Sequence, residues 1–223
     1  MRGCLSKLLC TVSVGAEGSN GRARPHDPGY RFGCESATRV KDESELSRGQ
    51  LILVAGGASS GKSAFALQLA GTKAKRAFLA TGQALDDEMA ERIRRHRSER
   101  GPAWETAEVS LRLAKWFRAN GPAYESIVLD CVTLWLSNLR ENGVPDHRVP
   151  GLVDKLIHAI RMIPARVVVV SNELGLGLVP PEPGARRFRE LAGQVNQQLG
   201  KEADEVYFVL MGQALRLKPR ERG

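Results

Sequence analysis

Eight consecutive residues, Gly56-Gly57-Ala58-Ser59-Ser60-Gly61-Lys62-Ser63, fit the pattern G-x-x-x-x-G-K-[ST]. Its glycines permit backbone angles that turn successive N–H groups inward around phosphate oxygens. Lys62 adds a point charge for the terminal phosphates, and the Ser63 hydroxyl suits Mg²⁺. A second candidate is Asp130, which closes the apolar run Ser126–Asp130 and offers a carboxylate to the same metal, directly or through water. A third is His96. By position it reads first as a helix-end histidine packing against its neighbours. Arg94, Arg95, Arg97 and Arg100 change that setting. Clustered guanidiniums disfavour the imidazolium, which would keep the ring neutral and nucleophilic near pH 7, and they can grip phosphates bidentately. For some of these arginines a solvated helix face is the alternative.

These groups need elements to hold them. Apolar runs of strand length occur at Leu51–Ala55, Arg76–Ala80, Ser126–Asp130, Arg166–Val170 and Glu205–Leu210. Val167–Val170 is β-branched throughout, as suits a strand covered on both faces. Helix-like stretches alternate with them: Ser63–Ala70, Asp86–His96, Ser110–Ala119, Asp154–Ile163 and Ala185–Leu199. Strand alternating with helix predicts an α/β fold, a mostly parallel sheet with helices on both faces. Ligands bind such sheets beyond the carboxyl ends of the strands. The phosphate loop, Asp130 and Ala80-Thr81-Gly82-Gln83 all fall at such ends. A last run, Ala214–Lys218 after Gly212, predicts a hairpin edge strand.

Composition limits the rest. The net charge is +8, of which about +6 lies beyond residue 50. That balance suits a triphosphate-handling enzyme and also raises nucleic acid as a partner. Only 5% of residues are aromatic, and no basic–aromatic stacking pattern appears, which argues against nucleic acid. Cys4, Cys10, Cys34 and Cys131 have no metal-ligand spacing, and Cys131 reads as a buried thiol. No run approaches the ~20 apolar residues of a membrane span. The start imitates a signal peptide loosely, but Lys7 interrupts it, and a cytoplasmic location is expected. Residues 1–50, rich in Gly, Arg, Ser, Asp and Glu, are expected to be a disordered extension or sequence upstream of the true start, with the domain at 51–223.

Several blocks in order resemble the bifunctional adenosylcobinamide kinase/adenosylcobinamide-phosphate guanylyltransferase family. They are the loop at 56–63, Ala80–Gln83 before Leu85-Asp86-Asp87-Glu88-Met89, Arg92-Ile93 before His96, and Trp104–Glu108. They continue with Ser171–Gly177 with Val179-Pro180, Phe188–Asn196, and Ala203–Val206. The resemblance covers Leu51 to Lys218. It implies a P-loop NTPase fold of RecA-like character and a homotrimer. It implies phosphorylation of adenosylcobinamide by ATP or GTP, then transfer of GMP from GTP to adenosylcobinamide phosphate, giving adenosylcobinamide-GDP for cobalamin synthesis. The family's covalent histidine–GMP position matches His96, with Lys62 as the other catalytic residue. Its nucleotide contacts map onto Gly56, Gly57, Ala58, Ser59, Ser60, Gly61, Lys62, Ser63, Thr81, Gly82, Gln83, Arg97, Ser98, Glu99, Arg100, Glu108 and Asp130. Ser63 and Asp130 are the Mg²⁺ candidates. Asp130 stands where many members carry Glu, and Ser59 where many carry Arg. Two other readings keep the loop: a monofunctional P-loop kinase, which has no use for His96, and a RecA-type nucleic-acid-dependent ATPase.

Overall fold

The computed structural model describes residues 48–72, 75–83, 91, 94 and 103–219. Strand β1 (Gln50–Gly56) leads through the phosphate loop into helix α1 (Lys62–Ala70), followed by β2 (Arg76–Ala80). Then come β3 (Trp104–Glu108), α2 (Leu113–Asn120), β4 (Ser126–Asp130), α3 (Val132–Glu141) and α4 (Val149–Arg161). The chain ends with β5 (Arg166–Asn172), α5 (Pro183–Glu202), β6 (Glu205–Leu210) and β7 (Gln213–Lys218).

The seven strands form one sheet in the order β3-β2-β4-β5-β1-β6-β7. All neighbours are parallel except the terminal β6–β7 hairpin. Strand β5 lies between β1, which carries the loop, and β4, which ends at Asp130. That interposition sets the loop and Asp130 two strands apart on the same edge.

Side chains alternate across each strand, so the sheet divides the core in two. Leu51, Leu53, Leu79, Ile127, Leu129, Val167 and Val169 face one side, packed with residues of α2, α3, α4 and α5. Ile52, Val54, Phe78, Val128, Val168 and Val170 face the other, where α1 contributes Ala66 and Ala70. Val167–Val170 are fully buried, as their unbroken β-branched run predicts. Each such side chain contributes about 1.5–3 kcal/mol by leaving water.

The amino end of the sheet is tied separately. Asp204 accepts from the Leu51 amide at 2.8 Å and from Arg161 Nη2 at 3.0 Å, and Arg161 also donates to the Gly49 carbonyl at 2.7 Å. The Ala203–Val206 block is therefore a strut beneath β1, remote from the loop at the strand's other end.

Two elements are absent from the predicted set. Strand β3 reads Trp-Glu-Thr-Ala-Glu and sits at the sheet edge with little buried surface, so no apolar run announces it. Edge-to-face contact of Trp104 with Phe78 and the Arg76 guanidinium, 4.9 Å from the Trp104 ring centroid, fix it instead. Helix α3 buries Val132, Trp135, Leu136 and Leu139, a helical spacing that the preceding strand run obscures. The predicted helix Asp86–His96 lies outside the described residues apart from Glu91 and Arg94, which are helical and form an exposed ion pair.

Candidate active site at the carboxyl edge of the sheet

Strand register collects the candidates. Ala80 is level with both Glu108 and Asp130, and Gly56 is level with Asn172. The ends of five parallel strands thus deliver Glu108, Thr81, Asp130, Asn172 and the phosphate loop to one edge, where ligands bind this class of sheet.

The loop is fixed by close approach. A Cβ at Gly56 would stand 2.4 Å from the Val209 carbonyl oxygen and 2.7 Å from Ser60 Oγ, so only glycine fits. Gly61 has φ +94°, in the left-handed region that side chains disfavour. Ser59 occupies that region too, at φ +55°, held there by the turns on either side. Lys62 is 7% exposed, and its Nζ donates to the Gly57 carbonyl across the loop at 2.8 Å. Ser60 Oγ is buried without a hydrogen-bond partner among the described residues. An orphaned hydroxyl beside a buried lysine, within a ring of loop amides, suits an oxygen-rich anion. From behind, the β6–β7 turn braces the loop, with the Gly212 amide donating to the Ser60 carbonyl at 2.9 Å.

Asp130 is held through its backbone. Thr81 is fully buried; its hydroxyl donates to the Cys131 carbonyl at 2.7 Å and accepts from the Cys131 amide at 2.9 Å. The Thr81 amide donates to the Asp130 carbonyl at 3.1 Å. Asn138, buried on α3, then donates from Nδ2 to the carbonyls of Thr81 and Ser110 at 2.8 and 3.1 Å. The end of β2, the end of β4 and the segment after β3 become one unit. Thr81, expected as a nucleotide contact, has its hydroxyl fully engaged in this clamp, whereas Gln83 is exposed at the edge.

Cys131 is a free, buried thiol, as its apolar setting predicts. Burial, reinforced by the charge of Asp130, pushes its pKa up to about 11. It stays protonated near neutral pH and offers no thiolate nucleophile.

A second polar network locks the end of β5. The Asn172 amide donates to Thr133 Oγ1 at 2.9 Å, Ser171 Oγ donates to Asn196 Oδ1 at 2.6 Å, and Asn196 Nδ2 donates to the Asn172 carbonyl at 3.0 Å. Next along the chain, the Glu173 amide donates to the Gly56 carbonyl at 2.9 Å. Helices α3 and α5 thereby fix where β5 stops and bind that end to the loop.

Of the expected site residues, Gly56 to Ser63, Thr81 to Gln83, Glu108 and Asp130 share this edge. His96, Arg97, Ser98, Glu99 and Arg100 lie outside the described residues. Sequence reasoning missed Thr133 and Asn138, whose signal was a pair of polar residues on the buried face of an unread helix. Asn196 stood out only as the last residue of the Phe188–Asn196 block.

Two clefts open on the described surface. One, of about 640 Å³, is lined by Lys75, Arg76, Trp104 and Tyr124, at the amino ends of β2 and β3 and so across the sheet from the loop. The other, of about 520 Å³, lies between the segment after β5 and helix α5, on the loop side.

The family profile described as cobinamide kinase / cobinamide phosphate guanyltransferase matches residues 52–217. The bifunctional adenosylcobalamin biosynthesis protein CobU of Escherichia coli is 39% identical over 180 residues, covering 75% of this chain and 99% of that protein. CobP of Pseudomonas aeruginosa, a bifunctional adenosylcobalamin biosynthesis protein, is 38% identical over 167 residues, covering 74% and 96%. Among solved structures, the RadB recombinase aligns with a TM-score of 0.45 at 16% identity, covering 75% of this chain and 80% of that one. A KaiC-like protein from Pyrococcus horikoshii aligns with a TM-score of 0.43 at 11% identity, covering 72% and 71%. With the profile spanning most of the chain and the relatives matched almost end to end, this protein belongs to the cobinamide kinase / cobinamide phosphate guanyltransferase family.

Proposed function

We propose that the carboxyl edge phosphorylates adenosylcobinamide and then transfers GMP from GTP onto the resulting phosphate, giving adenosylcobinamide-GDP. The observation that carries this reading is the convergence of the Lys62 loop and Asp130 on one edge of a chain whose family performs both reactions. In the kinase step the alcohol of adenosylcobinamide attacks the γ-phosphorus in line. The bond to the nucleoside diphosphate breaks while Lys62 and the loop amides take up developing charge. ATP and GTP both suit a loop that grips phosphates and leaves the base untouched.

In the nucleotidyl step His96 is the nucleophile. Its neutral imidazole attacks the α-phosphorus of GTP, an N–P bond forms, and pyrophosphate departs. The phosphate of adenosylcobinamide phosphate then attacks the same phosphorus, the N–P bond breaks, and His96 is regenerated. Arg97 and Arg100 grip the nucleotide's phosphates in this reading, with Ser98, Glu99, Gln83 and Glu108 completing its surroundings.

Among the described residues no three His, Cys, Asp or Glu side chains converge as a metal cage. The donor set fits Mg²⁺ instead, which is usually held by one or two protein oxygens together with substrate phosphates and water. Ser63 and Asp130 would hold it, and it would neutralise phosphate charge. The remaining readings are a cytoplasmic homotrimer without a nucleic-acid partner; no described helix is long and apolar enough to cross a membrane.

The test is incubation with GTP, Mg²⁺ and adenosylcobinamide followed by mass analysis. Adenosylcobinamide-GDP and pyrophosphate are the expected products. A reaction that stops at the phosphate would reduce the protein to a kinase.

A further inference from the structure

We infer that the cleft between residues 173–182 and helix α5 binds the corrinoid part of the substrate, so that its phosphate-bearing arm reaches the loop. This inference rests on the proposed function and adds a location that neither the sequence nor the family name supplies.

The cleft begins where the nucleotide site ends. Glu173, bonded through its amide to Gly56, is the first residue of the segment that forms one wall. Helix α5 forms the other wall, with Arg186, Arg189, Glu190, Gly193, Gln194 and Gln197 on one face at helical spacing. Two arginines strap the walls together. Arg186 donates to the carbonyls of Pro180 and Pro181, and Arg189 to that of Gly175. The cleft's volume of about 520 Å³ lies within the range of small-molecule sites.

The lining matches an unusual ligand chemistry. Val179, which lines the cleft, is 68% exposed, and Leu176 and Leu178, its neighbours in the same segment, are 79 and 97% exposed, a concentration of bare apolar surface beside a polar helix. Opposite them, Glu190, Gln194 and Gln197 make no side-chain hydrogen bond or ion pair with any described residue. A corrinoid presents both complements at once: a methyl-studded macrocycle for the apolar wall, and a fringe of acetamide and propionamide arms for the free glutamine amides. Neither a nucleotide nor a plain sugar phosphate would use the leucines.

Gly193 supplies the test. It sits at the middle of the α5 face, and a Cβ there would meet nothing within 4 Å. A side chain can therefore start from this position without a backbone clash, and Gly193→Trp directs an indole into the cleft while replacing a poor helix former. Binding of adenosylcobinamide is measured by calorimetry, and labelling of the protein by α-labelled GTP is measured alongside it. The expected result is adenosylcobinamide binding weakened about tenfold or more, equivalent to about 1.4 kcal/mol, with GTP labelling at the wild-type rate. Leu178→Ser, at a position too exposed to matter for folding, should weaken the same binding by a smaller factor without changing the sedimentation coefficient.

Wild-type adenosylcobinamide affinity in both variants would overturn the cleft assignment while leaving the proposed function intact. So would a Leu178→Ser variant that changes its oligomeric state yet binds adenosylcobinamide normally, since the leucines would then be a subunit contact. A wild-type protein that does not convert adenosylcobinamide at all would instead overturn the function, and the cleft reading with it.

Discussion

The phosphate loop and the cleft beside it face the same edge but are built on opposite principles. In the loop the geometry is fixed from several sides: Lys62 reaches the Gly57 carbonyl, Gly212 braces Ser60, and no side chain could replace hydrogen at Gly56. At the cleft the apolar side chains of the wall segment stand bare, and the amides of Gln194 and Gln197 have no partner among the described residues. A triphosphate is a small, highly charged ligand, recognised best by fixed dipoles that need not reorganise. A corrinoid is large and amphipathic, and side chains that adjust to it serve better than a rigid cradle. The contrast teaches that one sheet edge can be rigid where charge is transferred and adaptable where the acceptor is held.

The sharpest way to break this comparison is to damage the rigid half. Lys62→Ala should reduce both the kinase and the guanylyltransferase rates, each by about 10²–10³-fold, the typical effect of deleting one positioned charge-stabilising donor. Adenosylcobinamide affinity should remain within a factor of about two, because the cleft lies beyond the loop and separate sites add independently. Steady-state rates for the two half-reactions, with calorimetric titration of the corrinoid, check this directly. An intact kinase rate would show that the loop does not serve both steps.

A smaller effect is expected one layer behind the edge. Asn138→Ala leaves the buried carbonyl of Thr81 and the part-buried carbonyl of Ser110 without their donor, at about 1–3 kcal/mol for the first and less for the second. Urea denaturation should therefore show a loss of about 2–4 kcal/mol. The clamp also holds the Asp130 backbone, so the Mg²⁺ concentration needed for half-maximal activity should rise in the folded variant. A stability loss with an unchanged Mg²⁺ requirement would make Asn138 a packing residue only.

Much of this was legible in the sequence, and the residues show why. Strands β1, β2, β4, β5 and β6 announce themselves because a central parallel strand is apolar on both faces. The loop announces itself because its glycines and lysine have no other common use in a strand–turn–helix setting. Strand β3 does not, because an edge strand draws its stability from pairing and from Trp104 rather than from an apolar run. The polar clamp around Thr81 is equally silent: Asn138 is 57 residues from the carbonyl it supports, and no local pattern links them. Thr81 illustrates the limit best. Its place beside the nucleotide edge was readable, but its work of holding the Cys131 peptide shows only in three dimensions.

The central claim is that the loop serves the kinase step and that His96 then takes GMP from a separate molecule of GTP. It is tested most directly by exposing wild-type and His96→Ala proteins to α-labelled GTP without a corrinoid and measuring acid-labile, base-stable label on the protein. The account predicts stoichiometric labelling of the wild type and none of the variant, which should retain kinase activity. Equal labelling of the two proteins would contradict it.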